Sequence, residues 1–387
     1  MLPYFDSEHL PLQERARSWA EKIFSHERGE DPDVEKASRR IVEELGRAGW
    51  LGYAVPKSFG GARDKIQVRD VCLLREELAY ASALADTMFA VQALGSYPIT
   101  LAGTDEQKSR RLPPMARGEI IAAFALTEPE AGSDVASIST RAVKRGREYS
   151  LSGVKSFVSN AGIAHSYVVF ASTDPENRGK GLSAFIVDGD SRGFTIKEKL
   201  RLLSPHPIGV IALENCVVPE SNLLGREGDG IKIAFATLDT LRCTVGAAAV
   251  GLARRALDEA LRYSQKRQQF GQKLGQFQGI QFKLADMATE LEAARLLVYQ
   301  AAWAHDRGEA DVKKGASMAK LFATEAAQRI VDQALQIHGG IGVVADTPVA
   351  RLYNDVRSLR IYEGTSEIQK LVIARSLLNS SGVKREG

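Results

Sequence analysis

The spacing of apolar residues changes twice along the chain and divides it into three parts. Between residues 7 and 119, apolar residues recur at the spacing of a helix face. Two such stripes lie on either side of a turn at residues 56–61, and they are Val42, Leu45, Ala48 and Gly49, then Leu73, Leu74, Leu78 and Ala81. This first part is predicted to be helical.

The middle part, from about residue 122 to 224, has short β-branched and aromatic runs such as residues 166–170 and 182–187. After residues 228–230 helical spacing returns, and one stripe continues through Leu284, Met287, Ala288, Leu291, Ala294, Val298 and Ala301. The pattern predicts an α+β, mainly α, fold: an N-terminal helical domain at 1–121, a middle β domain at 122–224 and a C-terminal helical domain at 225–387. A chain of 387 residues is also longer than a single core supports.

Composition and charge are those of an ordinary soluble globular protein, with 44% hydrophobic and 26% charged residues. The formal net charge is only +3, and the basic clusters at 108–111 and 266–267 have polar or acidic neighbours, which is typical of a solvated face. A nucleic-acid partner is therefore not expected, although the pI of about 8.6 keeps it as an alternative.

Three scattered cysteines, Cys72, Cys216 and Cys243, are too few for a disulfide scaffold or a zinc site and are predicted to be buried thiols. The N-terminal residues have neither the basic start nor the apolar core of a signal peptide. No apolar run is expected to approach the roughly 20 residues that span a bilayer. We therefore expect a cytoplasmic protein without a membrane partner.

Glu363 is the strongest catalytic candidate in the chain. It lies between Tyr362 and Gly364, close to Ile361, and an acid among apolar neighbours has a raised pKa, as a general base for a weakly acidic C–H proton requires. Gly364 permits a positive φ and lets a backbone or flat ligand come close. The alternative interpretation is a helix stop followed by a Thr365 N-cap, with Glu363 solvated.

A second segment, residues 126–134, has the composition of a binding loop. Its sequence, Leu-Thr-Glu-Pro-Glu-Ala-Gly-Ser-Asp, follows an apolar run and offers hydroxyl and backbone N–H groups to a polar or ring-shaped ligand. Glu128, Glu130 and Asp134 lack the alternation of a calcium loop and a histidine partner, so no metal site is predicted.

Together these segments resemble the acyl-CoA dehydrogenase family of flavoenzymes. Residues 126–134 look like the first family signature, and Gln-Ile-His-Gly-Gly-Ile-Gly at 336–342 looks like the second. Arg-Gln-Gln-Phe-Gly at 267–271 and Tyr-Glu-Gly-Thr at 362–365 are similar to two further landmarks. The four motifs occur in family order and cover nearly the whole chain.

The resemblance implies a β-barrel-like middle domain, a C-terminal four-helix bundle, bound FAD and α,β-desaturation of an acyl-CoA. Glu363 would take the α-proton while the β-hydrogen leaves as hydride to flavin N5. An electron-transfer flavoprotein is the implied acceptor, and a homotetramer, as a dimer of dimers, is the implied assembly. The alternatives are an acyl-CoA oxidase, an enzyme for carrier-protein-bound acyl groups, and a non-enzymatic flavin-bound or nucleic-acid-binding scaffold.

The resemblance also assigns roles to individual residues. Those implied at the flavin are Leu126 and Thr127 at the isoalloxazine edge, Phe157 on one face and Ser159 near N5, with Arg267, Phe270, Gln336, Gly340, Thr365 and Glu367 as contacts from a neighbouring subunit. Those implied at the substrate are Ser133 at the pantetheine arm, Tyr362, Gly364, and Arg242 in support of the base. Core packing of Phe157 and Phe270, and an Arg242–Asp239 pair, are the structural alternatives.

Three features depart from familiar patterns. Leu241 occupies the position where some family branches carry the base, so no second carboxylate is expected beside Glu363. Residues 202–209, with two prolines, replace a polar family segment and leave the acyl specificity open. Residues 340–345 fit the dinucleotide fingerprint G-x-G-x-x-A, but a helical pattern precedes them where that fingerprint needs a strand, so no Rossmann site is predicted.

Overall fold

The computed structural model describes residues 4–24 and 33–380, and the chain divides into two compact units. The helical unit comprises Met1–Gly29, Val68–Asp86 and Asp239–Gly387, and the sheet unit comprises Glu30–Gln67 and Thr87–Leu238. The predicted mainly helical α+β fold, with a sheet in the middle of the sequence, is confirmed. The predicted domain boundaries stay a prediction.

The helices follow the sequence pattern closely. In chain order they are α1 His9–Phe24, α2 Val34–Arg47, α3 Val68–Ala81, α4 Ala83–Ala102, α5 Asp105–Ala116, α6 Gly230–Lys266, α7 Gln278–Asp306, α8 Val312–His338, α9 Pro348–Ser358 and α10 Ser366–Ser380.

The strands form one eight-stranded sheet and a small hairpin. The sheet contains β1 Ala122–Ala125, β2 Arg141–Arg145, β3 Glu148–Ser159, β4 Ser166–Ser172, β5 Leu182–Asp188, β6 Phe194–Lys199, β7 Ile208–Pro219 and β8 Leu223–Leu224. Its order is β6-β7-β3-β2-β4-β5-β8, with β1 added parallel to β4. The hairpin pairs β9 Gln268–Gln269 with β10 Gln272–Lys273.

Local sequence explains where helices begin and end. Asp33 caps α2 by accepting a hydrogen bond from the Lys36 N–H at 3.0 Å. The predicted stripe in this helix is only partly right, because α2 ends at Arg47 and Gly49 lies beyond it with φ 79°. A left-handed residue directly after a helix is how many helices stop, which the periodicity of apolar residues could not reveal.

The sheet buries side chains on both of its faces. Along β4, Val168 and Phe170 belong to one buried cluster, whereas Tyr167 and Val169 belong to another. Neighbouring residues of a strand point to opposite faces, so a strand that is apolar at every position is buried on both. This is why residues 166–170 read as an unbroken apolar run.

Strand β3 is interrupted where it carries predicted site residues. Its pairing with β7 shifts register between Lys155 and Val158, and within this bulge Phe157 has φ 54°. A bulge bends a strand and redirects the extra side chain. Phe157 therefore leaves the core and is 62% exposed.

Helix α3 buries five charged side chains within the helical unit: Arg69, Asp70, Arg75, Glu76 and Glu77. Arg69 pairs with Asp306 at 2.9 Å, and Arg75 pairs with Asp86 at 2.8 Å. Asp70 lies 3.6 Å from His9, and Glu76 lies 2.7 Å from Arg254. Glu77 lies 3.2 Å from Arg17 and accepts a hydrogen bond from Gln13 at 2.7 Å. Buried charges are tolerated only when they are paired in this way.

Helix α6 corrects one expectation about apolar runs. It contains an 18-residue window of mean hydropathy 1.4, which by length and composition is apolar enough to cross a membrane. Of that window 78% is buried inside the protein, as expected for a core helix enclosed on most sides. Its apolar residues therefore have a packing explanation.

We predict opposite effects for two Gly→Ala substitutions in helices. A Cβ at Gly251 in α6 would lie 2.2 Å from the Glu76 carbonyl oxygen of α3, so Gly251→Ala should destabilise the protein by about 1–3 kcal/mol. A Cβ at Gly315 in α8 meets no atom within 4 Å, so Gly315→Ala should stabilise by up to about 1 kcal/mol. Thermal unfolding midpoints of both variants measure the difference, and equal midpoints would contradict the close α3–α6 approach.

Candidate functional site

Glu363 lies in a tight turn between α9 and α10. Glu363 has φ 53° and Gly364 has φ 92°, so two successive residues are left-handed. The Tyr362 N–H donates to the Ser358 oxygen at 3.1 Å, which continues the end of α9 into the turn. The positive φ favours glycine at position 364, and a Cβ there would also displace Nε2 of Gln369, which would lie 2.6 Å away.

The Glu363 carboxylate is withdrawn from water. Within the described part of the chain, its buried Oε2 has no hydrogen-bond partner. Burial raises the pKa of Glu363, while the positive charges of Arg75, Lys320 and Arg242 oppose that rise and Asp86 adds to it. An ionisable oxygen without a partner and with a raised pKa is what a general base requires.

Arg75 and Asp86 form a buried ion pair near this carboxylate. Nε and Nη2 of Arg75 donate to the two Asp86 oxygens at 2.8 and 2.9 Å, and Nη1 donates to Thr244 at 3.0 Å. Asp86 corrects the expectation from Leu241, because a second carboxylate does act on Glu363 from α4. That carboxylate is held in a bidentate pair and so is not a free base.

Arg242 combines both interpretations given to it. Its Nη1 lies 2.7 Å from the Asp239 carboxylate and 3.4 Å from the Ser317 hydroxyl, as the structural alternative supposed. Its positive charge nevertheless acts on Glu363, and its buried Nε has no hydrogen-bond partner among the described residues. Oε2 of Glu363 is thus an unused acceptor and Nε of Arg242 an unused donor among the described residues, and a bound polar group could satisfy them.

Thr365 and Glu367 begin helix α10. The Thr365 hydroxyl accepts from the Ile368 N–H at 3.3 Å, so the predicted N-cap alternative describes Thr365 correctly. Backbone and Thr365 hydrogen bonds lower the pKa of the exposed Glu367. The alternative is wrong only in treating Glu363 as solvated.

In the sheet unit, the loop after β1 is attached to β3. The Ser156 N–H donates to the Thr127 oxygen at 2.9 Å, and Nζ of Lys155 donates to the Leu126 oxygen at 3.1 Å. Two predicted cofactor residues, Leu126 and Thr127, are thereby held beside the β3 bulge that carries Phe157. The predicted binding loop and the predicted flavin wall are brought together.

Glu128 is the residue that organises this loop. Its carboxylate accepts from Lys155 at 2.8 Å and from the backbone and hydroxyl groups of Ser139 and Thr140 at 2.5 to 3.0 Å. Burial alone would raise the pKa of Glu128, but Lys155 and these hydrogen bonds lower it to about 2. Glu128 therefore has a structural role in the loop.

Ser159 has a partner that the sequence did not suggest. Its hydroxyl lies 3.0 Å from Nε2 of His206, and Nδ1 of His206 faces the Ser204 oxygen at 3.3 Å. Because a carbonyl can only accept, Nδ1 carries the proton and Ser159 donates to Nε2. Burial lowers the pKa of His206 to about 4, so the ring is neutral near pH 7.

The other predicted binding residues are exposed. Ser133 lies at the surface of its loop. In the helical unit, Arg267, Gln336 and Gly340 are also exposed, and Phe270 is 94% exposed with φ 49°. The Phe270 ring meets the Phe277 ring edge-on, with 6.3 Å between centroids, but it is held in solvent on a left-handed backbone, so the core alternative for Phe270 is wrong.

The dinucleotide-like glycines follow a helix, as the sequence indicated. Helix α8 ends at His338 and a short 3₁₀ helix, Gly339–Val343, follows it. His338 donates from Nδ1 to the Ala334 oxygen at 2.7 Å and stacks on Tyr263 at 4.3 Å, so it is a satisfied helix-end histidine. Among residues 4–24 and 33–380, no group of three or more His, Cys, Asp or Glu could hold a metal ion.

Comparison with known families agrees with this arrangement. Residues 6–119, 123–216 and 228–378 match, in order, the N-terminal, middle and C-terminal domains of acyl-CoA dehydrogenase. The chain belongs to the acyl-CoA dehydrogenase family. The predicted family membership is thereby confirmed.

Relatives in this family carry both dehydrogenase and reductase names. The 3-(aryl)acrylate reductase of Clostridium sporogenes is 42% identical to this chain, and the match covers 97% of this chain and 100% of that protein. An acyl-CoA dehydrogenase of Bacillus subtilis is 41% identical, and the match covers 97% of this chain and 99% of that protein. Subunit CarC of the caffeyl-CoA reductase–Etf complex of Acetobacterium woodii is 39% identical, and the match covers 97% of this chain and 99% of that protein. The chain is accordingly an oxidoreductase acting on a CH–CH group.

Solved structures of acyl-CoA dehydrogenases share the fold. Butyryl-CoA dehydrogenase from Megasphaera elsdenii has a TM-score of 0.90 at 36% identity, covering 97% of this chain and 99% of that one. An acyl-CoA dehydrogenase from Bacillus anthracis, complexed with FAD, has a TM-score of 0.88 at 32% identity, covering 98% of this chain and 69% of that one. These neighbours imply FAD for this member of the acyl-CoA dehydrogenase family.

Sequence reasoning missed three polar residues that act on Glu363 in the helical unit and one beside Ser159 in the sheet unit. They are Arg75, Asp86, His206 and Lys320. Arg75, Asp86 and Lys320 lie on helices distant in sequence from Glu363, so no local pattern indicated them. A Pro-flanked histidine in the unusual 202–209 segment was the only available signal for His206.

We predict that the Lys155–Glu128 pair is essential to the stability of the binding loop. Lys155→Met leaves a buried carboxylate without its cation and should destabilise by about 3–5 kcal/mol, with part of this loss recovered in Lys155→Met/Glu128→Gln. Lys144→Met breaks an exposed pair with Glu220, which solvent screens, and should change stability far less. Thermal unfolding midpoints of the three variants and the wild type, measured near pH 7, give the comparison.

The pH dependence has a definite sign. Because the folded-state pKa of Glu128 is depressed to about 2, its contribution to stability is present above the ordinary value of 4.5 and is lost as pH falls toward 2. The wild type should therefore lose stability over this range more steeply than the double variant. Parallel pH profiles would contradict the assignment.

Proposed function

We propose that the protein is an FAD-dependent acyl-CoA dehydrogenase that introduces an α,β double bond into an acyl thioester, with Glu363 as the base. The observation that carries the proposal is the buried Glu363 Oε2, which has a raised pKa and no hydrogen-bond partner among the described residues. A carboxylate satisfied by protein donors would be a poor proton acceptor. The Glu363 Oε2 meets no donor among the described residues, and the charges of Arg75, Lys320 and Arg242 oppose the rise in pKa that burial causes.

The reaction needs more than a base. An α-proton of a thioester is far less acidic than a carboxylic acid, so hydrogen bonds must stabilise the enolate-like charge on the carbonyl. The Glu363 N–H is one proposed donor. Tyr362 and Gly364 would line the same turn, Arg242 would support Glu363, and Ser133 would contact the pantetheine arm.

The residues of each unit fit FAD, whose isoalloxazine ring supplies the electron sink for the β-hydrogen when bound. In the sheet unit, the exposed and redirected Phe157 offers an apolar ring beside Thr127 and the Ser159 hydroxyl, a combination that suits a flat polar heterocycle. In the helical unit, the exposed Arg267 and Phe270 offer a guanidinium and an aromatic ring to a phosphate and a base.

The remaining proposed contacts complete the cofactor's other half. Gln336, Gly340, Thr365 and Glu367 would bind the FAD of a neighbouring subunit, and Leu126 would contact the ring through its backbone. Gly340 lacks a side chain that could block such an approach, and a Cβ there would meet no atom of this chain.

The electron partner sets the direction of the reaction. The relatives named as reductases run between a saturated and an unsaturated acyl group, and a Glu363 that accepts the α-proton in one direction donates it in the other. We propose an electron-transfer flavoprotein as the partner, which the name of the Acetobacterium complex supports. An oxidase or a carrier-protein thioester enzyme is the alternative, and a cytoplasmic location is proposed for either.

Surface chemistry supports an oligomer. The helical unit exposes large apolar side chains, among them Phe270, Phe282, Ile341, Val343, Leu371 and Leu377. Exposed apolar groups on one unit are typical of a surface that another protein covers. We propose a homotetramer of two dimers, in which each dimer completes two flavin sites.

We predict that Glu363→Gln abolishes most thioester dehydrogenation without loss of fold or FAD. The amide keeps the shape but cannot accept the α-proton, so flavin reduction should slow by at least about a hundredfold. Anaerobic stopped-flow bleaching with a panel of straight, branched and aryl-substituted acyl-CoAs measures this. Reduction within a few-fold of the wild-type rate would place the base elsewhere.

We also predict about one non-covalent FAD per chain and an assembly of at least two chains. Flavin absorbance gives the stoichiometry, and sedimentation of the holoenzyme gives the mass. Phe270→Asp should weaken both FAD retention and assembly, because the exposed ring is proposed to lie against a neighbour. A flavin-saturated monomer, or a protein that takes up no FAD, would contradict the prediction.

A further inference from the structure

Lys320 is a fully buried lysine in the middle of α8. Its exposed fraction is 0%, and it is among the largest fully buried side chains in the protein. Burial lowers the pKa of Lys320 to about 8, so the side chain is still mainly an ammonium group at pH 7. An enclosed cation of this kind is unfavourable unless nearby groups compensate it.

The ammonium group is bonded to the turn that carries Glu363. Nζ of Lys320 donates to the Gly364 oxygen at 2.8 Å, and Nε2 of Gln369 in α10 donates to the same oxygen at 2.9 Å. Two donors from two helices thus hold one peptide group, directly after a left-handed Glu363. A strained backbone persists only when its surroundings hold it in this way.

The charges around Lys320 are dominated by the same carboxylate. Glu363 is the strongest attractive charge acting on Lys320, followed by Glu325 and Glu367, while Arg242 opposes them. Glu325 is already engaged by Arg360 at 2.8 Å and by the Ser366 hydroxyl at 2.6 Å. Among the described residues the Glu363 carboxylate has no such partner, which leaves it as the carboxylate that Lys320 compensates.

We propose that Lys320 is the positioning residue of the proposed base: one ammonium group fixes the Gly364–Thr365 peptide, next to Glu363, through the Gly364 carbonyl and favours the ionised Glu363 carboxylate. The inference rests on the proposed role of Glu363. A lysine serves both purposes because its ammonium form offers three donors and a positive charge, whereas Gln369 offers donors without a charge.

The positive charge of Lys320 should affect the pKa of Glu363. A positive charge near a carboxylate lowers its pKa, so loss of the Lys320 charge should raise the pKa of Glu363. The acid limb of the pH–rate profile, where the rate falls because Glu363 becomes protonated, should then move to higher pH. The charged and titratable groups facing Glu363 that would stay in place are Arg75, Asp86, Arg242 and Tyr362, with Asp239, Glu325 and Glu367 around them.

The experiment separates charge from hydrogen bonding with three substitutions at Lys320 and one control. Lys320→Met removes both, Lys320→Gln can keep a donor without the charge, and Lys320→Arg keeps the charge. Gln369→Leu removes the other donor to the same Gly364 oxygen and changes no charge. The measurement is the second-order rate constant for anaerobic flavin reduction of each holoenzyme by butanoyl-CoA and 3-phenylpropanoyl-CoA, from about pH 5 to about pH 9.

We expect the acid limb to rise by about one pH unit in Lys320→Met and Lys320→Gln, a tenfold change in the proton affinity of the base. It should stay in place in Lys320→Arg and Gln369→Leu, where only the plateau rate should fall. Should Lys320→Met fail to fold, the comparison of Lys320→Gln with Lys320→Arg carries the test.

Two failures are distinguishable. If the acid limb stays unmoved in both uncharged variants while their rates fall as in Gln369→Leu, Lys320 is only a structural donor and the inference is wrong. If Glu363→Gln retains the wild-type rate and acid limb, the base lies elsewhere and the proposed function fails first. Deuterium incorporation at the α-carbon of recovered substrate, measured in D₂O, reports the same proton transfer without relying on flavin absorbance.

Discussion

The helical unit depends on pairing the charges that α3 buries. Glu76 receives Arg254 at 2.7 Å, Arg295 at 3.2 Å and the Tyr299 hydroxyl at 2.6 Å, so helices α6 and α7 are both joined to α3. Loss of one partner would leave a buried charge uncompensated, which is far more destabilising than loss of a surface pair. The same helix carries Arg75, and its position near Glu363 is therefore fixed by the unit's own core.

Left-handed backbone marks three of the predicted site residues. Phe157, Phe270 and Glu363 all have φ between 49° and 54°, although none is a glycine. Such conformations cost about 1–3 kcal/mol each and persist where the surroundings enforce them. At Phe157 a bulge in β3 does so, at Phe270 the β9–β10 hairpin, and at Glu363 the hydrogen bonds of the following peptide. At Phe157 and Phe270 the strained backbone presents an aromatic ring to solvent, whereas at Glu363 it accompanies a carboxylate with a buried oxygen.

The electrostatics of the base are a balance of opposing effects. Burial raises the pKa of Glu363, and the cations Arg75, Lys320 and Arg242 oppose that rise. Arg75 is neutralised by Asp86, and Arg242 by Asp239, so neither acts with its full charge. In residues 4–24 and 33–380, Lys320 is bonded to the Gly364 oxygen and not to an acid, which gives it a distinct influence on the base.

The sequence by itself determined the elements and the identity of the local motifs. Helical spacing, the run at 166–170, the 126–134 loop and the turn at Glu363 each depend on neighbours in the chain, so they can be recognised locally. Only the tertiary structure decided which charges meet: Arg75 and Lys320 lie 288 and 43 positions before Glu363, and His206 lies 47 after Ser159. The bulge in β3 and the pairing of Glu128 with Lys155 were likewise hidden, because they arise from contacts between segments whose approach no local pattern encodes.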